Sequence, residues 1–330
     1  MPYIFTVILL FIVELFYFRI ADRFNIIDKP NERSSHSIIT LRGGGIIFYI
    51  AVLIYFVQSG AHPWFFIGLT LMAFISFLDD LMELSTRLRL GVHFTSVLLM
   101  AYQLGVFTMP WYYLLITFVI IVGVINAYNF MDGINGITVL YSLVVCSLLI
   151  YVNNSVHFIE QDFLIYTLLG LLVFSFFNFR NQAKCFAGDV GSVGIAYILL
   201  FALGALILKT GDFIYILFLV VYGVDSVWSI VRRLYLRENI LEGHRTHLYQ
   251  YLANEVGCNR LLISGIYAIL QIFLGILVVH MAQYNAEIQW LFSLGIVVVI
   301  SIVYLLVKYY VEKNYVKCRK RIYIIENELM

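Results

Sequence analysis

Charged residues are scarce in this sequence. Asp, Glu, Lys and Arg make up 12% of its 330 residues, about half of their share in an ordinary soluble domain. Hydrophobic residues make up 62%, and this balance excludes a soluble globular protein of this size. Proline is also rare, with four residues, and 17% of the residues are aromatic, which excludes a disordered or collagen-like chain.

Cysteine is equally rare, with four residues. Cys146 lies in an apolar run, and the other three lie in polar segments that are assigned below to the cytoplasm, namely Cys185, Cys258 and Cys318. Thiols stay reduced in that compartment, so no disulfide is expected.

Long apolar runs alternate with short polar breaks, the pattern of a polytopic helical membrane protein. We predict an all-α integral membrane fold, a bundle of about eleven transmembrane helices. The predicted spans are 3–20, 44–59, 63–78, 91–108, 111–128, 136–152, 162–178, 190–208, 213–231, 261–280 and 289–307. The stretches between them are too short for a second domain, so 1–330 is predicted to be a single membrane catalytic domain.

The basic residues indicate the orientation. Twenty of the 21 Lys and Arg residues fall in the segments 19–43, 79–90, 179–189, 232–260 and 308–330. Basic loops face the cytoplasm, so the N-terminus is predicted outside and the C-terminus inside. Because the basic residues are distributed by side and do not form a patch, no nucleic-acid partner is expected.

Acidic and imidazole side chains collect on the same inner side. Transporters tend to place ionisable groups near the bilayer midplane, whereas these lie at one interface. That arrangement suits a reaction between a water-soluble, phosphate-bearing anion and a lipid whose head lies at the membrane surface. Asp residues from separate loops can hold a Mg²⁺ ion that bridges phosphate oxygens. The inner loops 19–43, 79–90, 129–135, 179–189 and 232–260 are therefore predicted to form a cytoplasmic active site.

Two features of these loops bear on their geometry. Asp79 and Asp80 are neighbours, so on a helix their side chains diverge by about 100° and are expected to have different roles. Four glycines are expected to let the backbone approach a ligand, namely Gly133, Gly136, Gly188 and Gly191.

Each candidate also has a structural alternative. Asp79 and Asp80 can form a solvated cap at a helix end. Asp189 directly precedes an apolar span and can be an N-cap. Asn129 and Asp132 can form an Asx-type turn, and His247 can be a structural histidine.

Taken together in order, the motifs resemble the polyprenyl-phosphate N-acetylhexosamine-1-phosphate transferases, an integral membrane family (glycosyltransferase family 4). The resemblance covers about residues 28 to 255. Its elements are Asp28-Lys-Pro-Asn-Glu-Arg-Ser-Ser-His36 with Arg42-Gly-Gly-Gly45, Asp79-Asp80, Asn129-x-x-Asp-Gly-x-Asn-Gly136, Phe186-x-Gly-Asp-x-Gly-Ser192, Asp225 with Arg232-Arg233, and His244-Arg-Thr-His-Leu-Tyr-Gln250.

The resemblance implies transfer of an N-acetylhexosamine 1-phosphate from a UDP-sugar to polyprenyl (undecaprenyl) phosphate, with UMP as the second product. It implies Mg²⁺ as the cofactor, with Mn²⁺ as the alternative cation. Asp189 and Asp80 would be metal ligands, and Asp79, Asp80 and His247 would be catalytic. The remaining implied contacts are Asn129, Asp132, Asn135, Phe186, His244 and Arg245 for the nucleotide and sugar, and Lys29 and Arg42 for phosphate.

The chain departs from the family pattern in places. Ile39-Thr40-Leu41 replaces the usual Pro-Thr-Pro, and Tyr222 replaces the proline three residues before Asp225. The His-His-His run of the muramoyl-pentapeptide enzyme is absent. The form at 244–250 instead resembles the branch that initiates O-antigen or similar surface polysaccharides.

The implied setting is the bacterial cytoplasmic membrane, with a polyprenyl phosphate lipid and a UDP-N-acetylhexosamine as partners. The oligomeric state stays open, with a homodimer as one alternative. Two other classes compete with this reading: a membrane transporter of a lipid-linked sugar or anion, and a CDP-alcohol phosphotransferase. The latter is disfavoured because Asp132-Gly133 is not followed by the Ala-Arg and later Asp pair of those enzymes.

Overall fold

The chain folds into a bundle of helices in a computed structural model, which describes residues 2–30, 35, 38–82, 84–239 and 245–316. The helices are α1 (Pro2–Arg23), α2 (Ile46–Ser59), α3 (Pro63–Leu81), α4 (Thr86–Gln103), α5 (Trp111–Met131), α6 (Ile137–Val156), α7 (Gln161–Asn178), α8 (Gly188–Thr210), α9 (Val220–Tyr235), α10 (Leu248–Asn254), α11 (Arg260–Met281) and α12 (Ala286–Val311). Short 3₁₀ turns occupy Val106–Thr108 and Phe213–Leu219, and the latter leads directly into α9.

Each predicted span lies on one of these helical segments. Within the described ranges, nine segments are long and apolar enough to cross a membrane. This confirms the predicted all-α, polytopic membrane fold. Two predicted spans do not meet both conditions: α2 has 14 residues, and α4 carries Arg87, Arg89 and His93 in its first turns. The count of eleven and the orientation of the termini stay predictions.

Helix α8 lies at the centre of the bundle. In its most apolar stretch, 83% of the residues are buried. The corresponding share is 6% in the segment Ala286–Val316, which contains α12. Helix α8 packs on α2, α3, α5 and α6, and small residues such as Gly191, Ala196 and Ala202 allow close helix packing. The N-terminus of α8 is therefore surrounded by the ends of other helices.

A short extended segment reaches this N-terminus. Strands β1 (Ile27–Asp28) and β2 (Thr40–Leu41) pair antiparallel. The Phe186 N–H then donates to the Leu41 carbonyl at 2.8 Å, and the Gly44 N–H donates to the Phe186 carbonyl at 3.0 Å. These bonds bring Arg42 next to the start of α8.

The start of α2 packs directly on α8 because both carry glycine there. A Cβ atom added to Gly191 would lie 2.7 Å from the Gly45 Cα and 2.8 Å from the Ala187 Cβ. Gly136 likewise packs against Phe179. These two glycines therefore serve contacts within the protein, which corrects the expectation that they approach a ligand.

We expect Gly191→Ala to lower the stability of the fold, because a methyl group there has no space. Overpacking of this kind costs about 1–3 kcal/mol. The thermal midpoint of the purified protein in detergent measures the effect. Gly194→Ala is the matched control, because Gly194 is on the same helix and has no heavy atom within 4 Å of an added Cβ. Equal midpoints for the two variants would contradict the packing argument.

Candidate active site

A polar pocket of about 290 Å³ lies where the predicted inner segments meet. Residues from six separate parts of the chain line it: Asp28, Ser35 and Arg42; Asn129, Asp132, Gly133, Ile134 and Asn135; Asn178; Phe186, Ala187, Gly188, Asp189 and Ser192; Gln250; and Arg260. Three carboxylates and two guanidinium groups thus share a small space. Such a mixture of charges is typical of a site that binds an anion together with a cation.

Asp189 lies in the first turn of α8, as predicted, and faces the pocket. Its side chain is 26% exposed, and its Oδ1 lies 3.3 Å from Arg42 Nη2. The N-terminus of a helix favours negative charge because its backbone N–H groups are unpaired. The Asp189 carboxylate is consequently held at the pocket wall and remains accessible.

The Asp80 side chain lies behind Asp189 and is fully buried. One of its oxygens accepts the Asp189 N–H at 3.0 Å, and the other accepts the Val190 N–H at 3.2 Å. Its Oδ1 also lies 2.7 Å from Arg42 Nε. Asp80 therefore caps α8 and orients the Arg42 side chain, and it is not one of the pocket-lining residues. Its expected roles as a metal ligand and in catalysis stay predictions.

Asp79 points elsewhere, as the predicted divergence requires. Its Oδ2 lies 2.5 Å from Arg89 Nη1, and its Oδ1 accepts the Leu84 N–H at 3.0 Å. Asp79 thus fastens the start of α4 to the end of α3, outside the pocket lining. A catalytic role for Asp79 stays a prediction.

The segment from Asn129 to Asn135 forms one pocket wall. Helix α5 extends to Met131, so Asn129 lies in its last turn and not in a loop, which corrects the predicted loop boundary. Asn129 Nδ2 donates to Ser192 Oγ at 3.3 Å, and Asp132 Oδ1 accepts the Thr138 hydroxyl at 2.6 Å. Burial raises the pKa of Asp132 to about 6, so this carboxyl is still mainly ionised at pH 7.

Three more residues belong to this wall: Asn135 and Phe186, which the sequence predicts, and Asn178, which it does not. Asn135 donates to the Arg180 carbonyl at 2.8 Å, and Phe186 lines the pocket. Asn178 accepts the Gly136 N–H at 2.8 Å and donates to the Cys185 carbonyl at 2.9 Å. Asn178 ends an apolar run, and nothing in the sequence around it indicates a role in the site.

The pocket is also lined by residues that the sequence pattern does not single out as site residues. Asp28 and Gln250 belong to the family-like motifs, and Arg260 begins α11. In the sequence, Arg260 is only one of several basic residues of an inner loop. It supplies the second guanidinium group of the pocket.

His247 lies outside the pocket lining and is 1% exposed. Its Nδ1 lies 3.1 Å from Asp225 Oδ1. Lys29 is exposed and Arg245 is half-buried, and neither lines the pocket. His244 lies outside the described residues. The substrate contacts expected for these four residues stay predictions.

The pocket fits a hard divalent cation. Its ionisable donors are carboxylate oxygens, and Mg²⁺ prefers oxygen ligands and usually binds through one or two carboxylates plus phosphate oxygens and water. Burial raises the pKa of the nearby Cys185 thiol well above its usual value, so no thiolate competes. In the part of the chain that the structure describes, no three His, Cys, Asp or Glu side chains could hold a metal ion among themselves. The donor set therefore suits a cation shared with a bound phosphate.

Comparison with known sequences agrees with the motifs. The model of Glycosyl transferase family 4 matches residues 62–211, a range that includes Asp80, Asp132 and Asp189. A Bacillus subtilis protein named "Probable undecaprenyl-phosphate N-acetylglucosaminyl 1-phosphate transferase" is 25% identical over 278 residues, 77% of each chain.

Two proteins of Thermotoga maritima are similar as well. Undecaprenyl-phosphate alpha-N-acetylglucosaminyl 1-phosphate transferase is 27% identical over 246 residues, which cover 72% of this chain and 76% of the relative. Phospho-N-acetylmuramoyl-pentapeptide-transferase is 26% identical over 217 residues, which cover 57% of this chain and 67% of the relative.

Proposed function

Because this chain belongs to glycosyl transferase family 4, we propose that it transfers N-acetylhexosamine 1-phosphate from a UDP-sugar to undecaprenyl phosphate. The products are a polyprenyl-diphosphate sugar and UMP. Relatives named as undecaprenyl-phosphate transferases support the acceptor and the transferred group. The same relatives and the apolar helices make the chain a multi-pass protein of the bacterial inner membrane.

The convergence of charged residues in one pocket carries this proposal. Asp28, Asp132 and Asp189 lie with Arg42 and Arg260 around about 290 Å³. Four of them lie in segments whose Lys and Arg residues assign them to the cytoplasmic side, and the predicted order of spans places Asp132 on the same side. A nucleotide sugar made in the cytoplasm would reach such a pocket directly. No observation on the described residues favours a transporter.

Each charged group has a role in the proposed reaction. The guanidinium N–H groups of Arg42 and Arg260 would donate to phosphate oxygens, for which their planar geometry is suited. Asp189 and Asp132 would hold a Mg²⁺ ion, which when bound offsets the negative charge that develops during phosphoryl transfer. Asp80 keeps both Asp189 and Arg42 in place.

The proposed transfer exchanges one bond for another. An oxygen of the lipid phosphate forms a bond to the phosphorus that carries the sugar. The bond from this phosphorus to the oxygen that bridges the two phosphates breaks, and the bridging oxygen leaves with UMP. A phosphate monoester is anionic at neutral pH, so its attack needs no general base.

An apolar groove next to the pocket supports a lipid acceptor. It has a volume of about 700 Å³ and lies between α5 and α9, with Val119, Val124 and Val227 among its lining residues. Phe130 lines this groove, whereas its neighbour Asn129 lines the polar pocket. A lipid whose tail lies in the groove would present its head at the pocket.

The function is tested with purified protein, undecaprenyl phosphate and a panel of UDP-N-acetylhexosamines, scored by the UMP formed. We expect UMP with at least one simple UDP-N-acetylhexosamine and none when the lipid phosphate is left out. Folded protein that forms no UMP with any donor of the panel would overturn the proposal. The donor that works also identifies the transferred sugar.

Removal of divalent cations tests the proposed metal. We expect turnover to vanish in EDTA and to return when Mg²⁺ is added in excess, because the carboxylates of the pocket would otherwise repel the donor diphosphate. Mn²⁺ is expected to replace Mg²⁺ at least partly. Turnover that persists in the chelator would contradict a role for a metal ion.

A further inference from the structure

Helix α12 faces away from the bundle along most of its length. Of its 26 residues only Gln289, Tyr304, Lys308 and Val311 are buried. Three of these four are polar, and Lys308 is 4% exposed although it belongs to a helix that is apolar enough to cross the membrane. An ionisable residue held inside such a bundle is costly and usually has a function.

Lys308 and Tyr304 are one helical turn apart and share a contact. The Lys308 ammonium donates to the Tyr304 hydroxyl at 2.7 Å and to the Ser229 hydroxyl at 3.3 Å. The Tyr304 hydroxyl in turn donates to Asp225 Oδ1 at 3.2 Å. The Ser229 hydroxyl also donates to Asp225 Oδ1, at 3.4 Å, so the positive charge of α12 reaches the buried carboxylate of α9 through two hydroxyl groups.

Asp225 holds the start of α10. Its Oδ1 lies 3.1 Å from His247 Nδ1 and accepts the Leu248 N–H at 3.2 Å. Its Oδ2 accepts the Tyr267 hydroxyl of α11 at 2.7 Å. Asp225 is 1% exposed, so in its ionised form it needs these donors and a nearby positive charge.

The first turn of α10 connects this cluster to the active site. Gln250 lines the pocket, and its side-chain carbonyl accepts the His247 N–H at 3.3 Å. The Tyr249 hydroxyl donates to the Phe130 carbonyl at 2.8 Å, next to the pocket residue Asn129. A continuous set of hydrogen bonds therefore leads from Lys308 to the pocket wall.

We propose that Lys308 and Tyr304 are positioning residues of the active site, which act on the pocket through Asp225 and the first turn of α10. The ammonium group of Lys308 balances the charge of Asp225, so the carboxylate remains ionised and keeps His247 and Leu248 in place. Without that charge, burial of the carboxylate becomes more costly, and its hydrogen bonds to the start of α10 weaken. This inference rests on the proposed transfer reaction.

Steady-state kinetics of UMP release test the proposal. We expect Lys308→Met to lower kcat about tenfold, which is within the range of coupling between residues of one hydrogen-bond network. The KM values for the UDP-sugar and for the lipid phosphate are expected to stay within about twofold of those of the unmodified protein. Tyr304→Phe, which removes one oxygen and keeps the ring packing, is expected to lower kcat in the same direction. Lys308→Arg retains a charge and N–H donors, so its kcat is expected to stay within about threefold of the unmodified protein.

Gln289→Met is the matched control on the same helix. Gln289 is buried and fastens the other end of α12 by donating to Asp212 Oδ1 at 2.9 Å. This variant loosens α12 without touching the Asp225 cluster, so its kcat is expected to be unchanged. A tenfold loss in Gln289→Met would show that docking of α12 as a whole matters, and would overturn the specific role of Lys308.

A double-mutant comparison supplies the second readout. Since Lys308 acts through the start of α10, Lys308→Met is expected to change kcat less than about twofold in a His247→Ala background. An equal loss in both backgrounds, or full kcat in Lys308→Met, would overturn the inference. Absence of UMP with the unmodified protein is a different result, because it would reject the proposed reaction itself.

Discussion

Asp189→Asn is expected to reduce UMP release on the order of a hundredfold or more, since a charged metal ligand contributes several kcal/mol to the stabilisation of transition-state charge. The fold is expected to persist. The contact that fixes the start of α8 runs from the Asp189 backbone N–H to Asp80, and the substitution leaves it intact. The measurements are the initial rate of UMP formation and the thermal midpoint of the purified protein.

Asp162→Asn provides the control for the same chemical change. Asp162 lies in the first turn of α7, at the end of the bundle opposite to the pocket, where its Oδ1 accepts the Tyr3 hydroxyl at 2.6 Å. Its variant is expected to turn over like the unmodified protein. An Asp189→Asn protein with the same rate as Asp162→Asn would remove Asp189 from the site.

The helices could be predicted because the membrane leaves an apolar segment few alternatives. A backbone in lipid must satisfy its own hydrogen bonds, so a long apolar run is a helix. The ends of helices are harder to predict, since polar residues occur both in the last turn of a helix and in the loop that follows it. Asn129 illustrates this: it reads as a loop residue in the sequence, whereas it occupies the last turn of α5.

The meeting of Asp132 and Asp189 could also be predicted, because orientation places both on the cytoplasmic side and the family motif links them. The different partners of Asp79 and Asp80 follow from helix geometry alone. The sequence did not show that Asp80 is a buried cap. That depends on how closely α3 approaches the start of α8, which is fixed by tertiary packing.

The role of Lys308 is the clearest example of what a sequence conceals. Its position at the end of an apolar run is typical of a residue that reaches the lipid headgroups. Two buried acceptors turn it inward: the Ser229 hydroxyl of α9 and the Tyr304 hydroxyl one turn earlier on α12 both lie within hydrogen-bond distance. The contact with Ser229 joins residues 79 positions apart, so no local pattern indicates it.

Asp80→Asn is expected to abolish UMP release and to lower the stability of the protein as well, in contrast to Asp189→Asn. The buried carboxylate accepts two backbone N–H groups and pairs with Arg42 at 2.7 Å. An amide has a single acceptor oxygen, so one of the two backbone N–H groups loses its acceptor, which costs about 1–3 kcal/mol for a buried donor. The thermal midpoint and the rate of UMP formation are measured together.

Arg42→Met separates the two functions of the Asp80 carboxylate. The two side chains are in direct contact, so Asp80 is expected to act partly by orienting Arg42. The double variant should then lose less turnover than the sum of the free-energy losses of Arg42→Met and Asp80→Asn. The loss of stability in Asp80→Asn should largely persist without Arg42, since the cap on Asp189 and Val190 does not involve the guanidinium group. Fully additive losses of turnover would show that Asp80 and Arg42 act independently, and an Asp80→Asn protein of normal stability would contradict its role as the cap of α8.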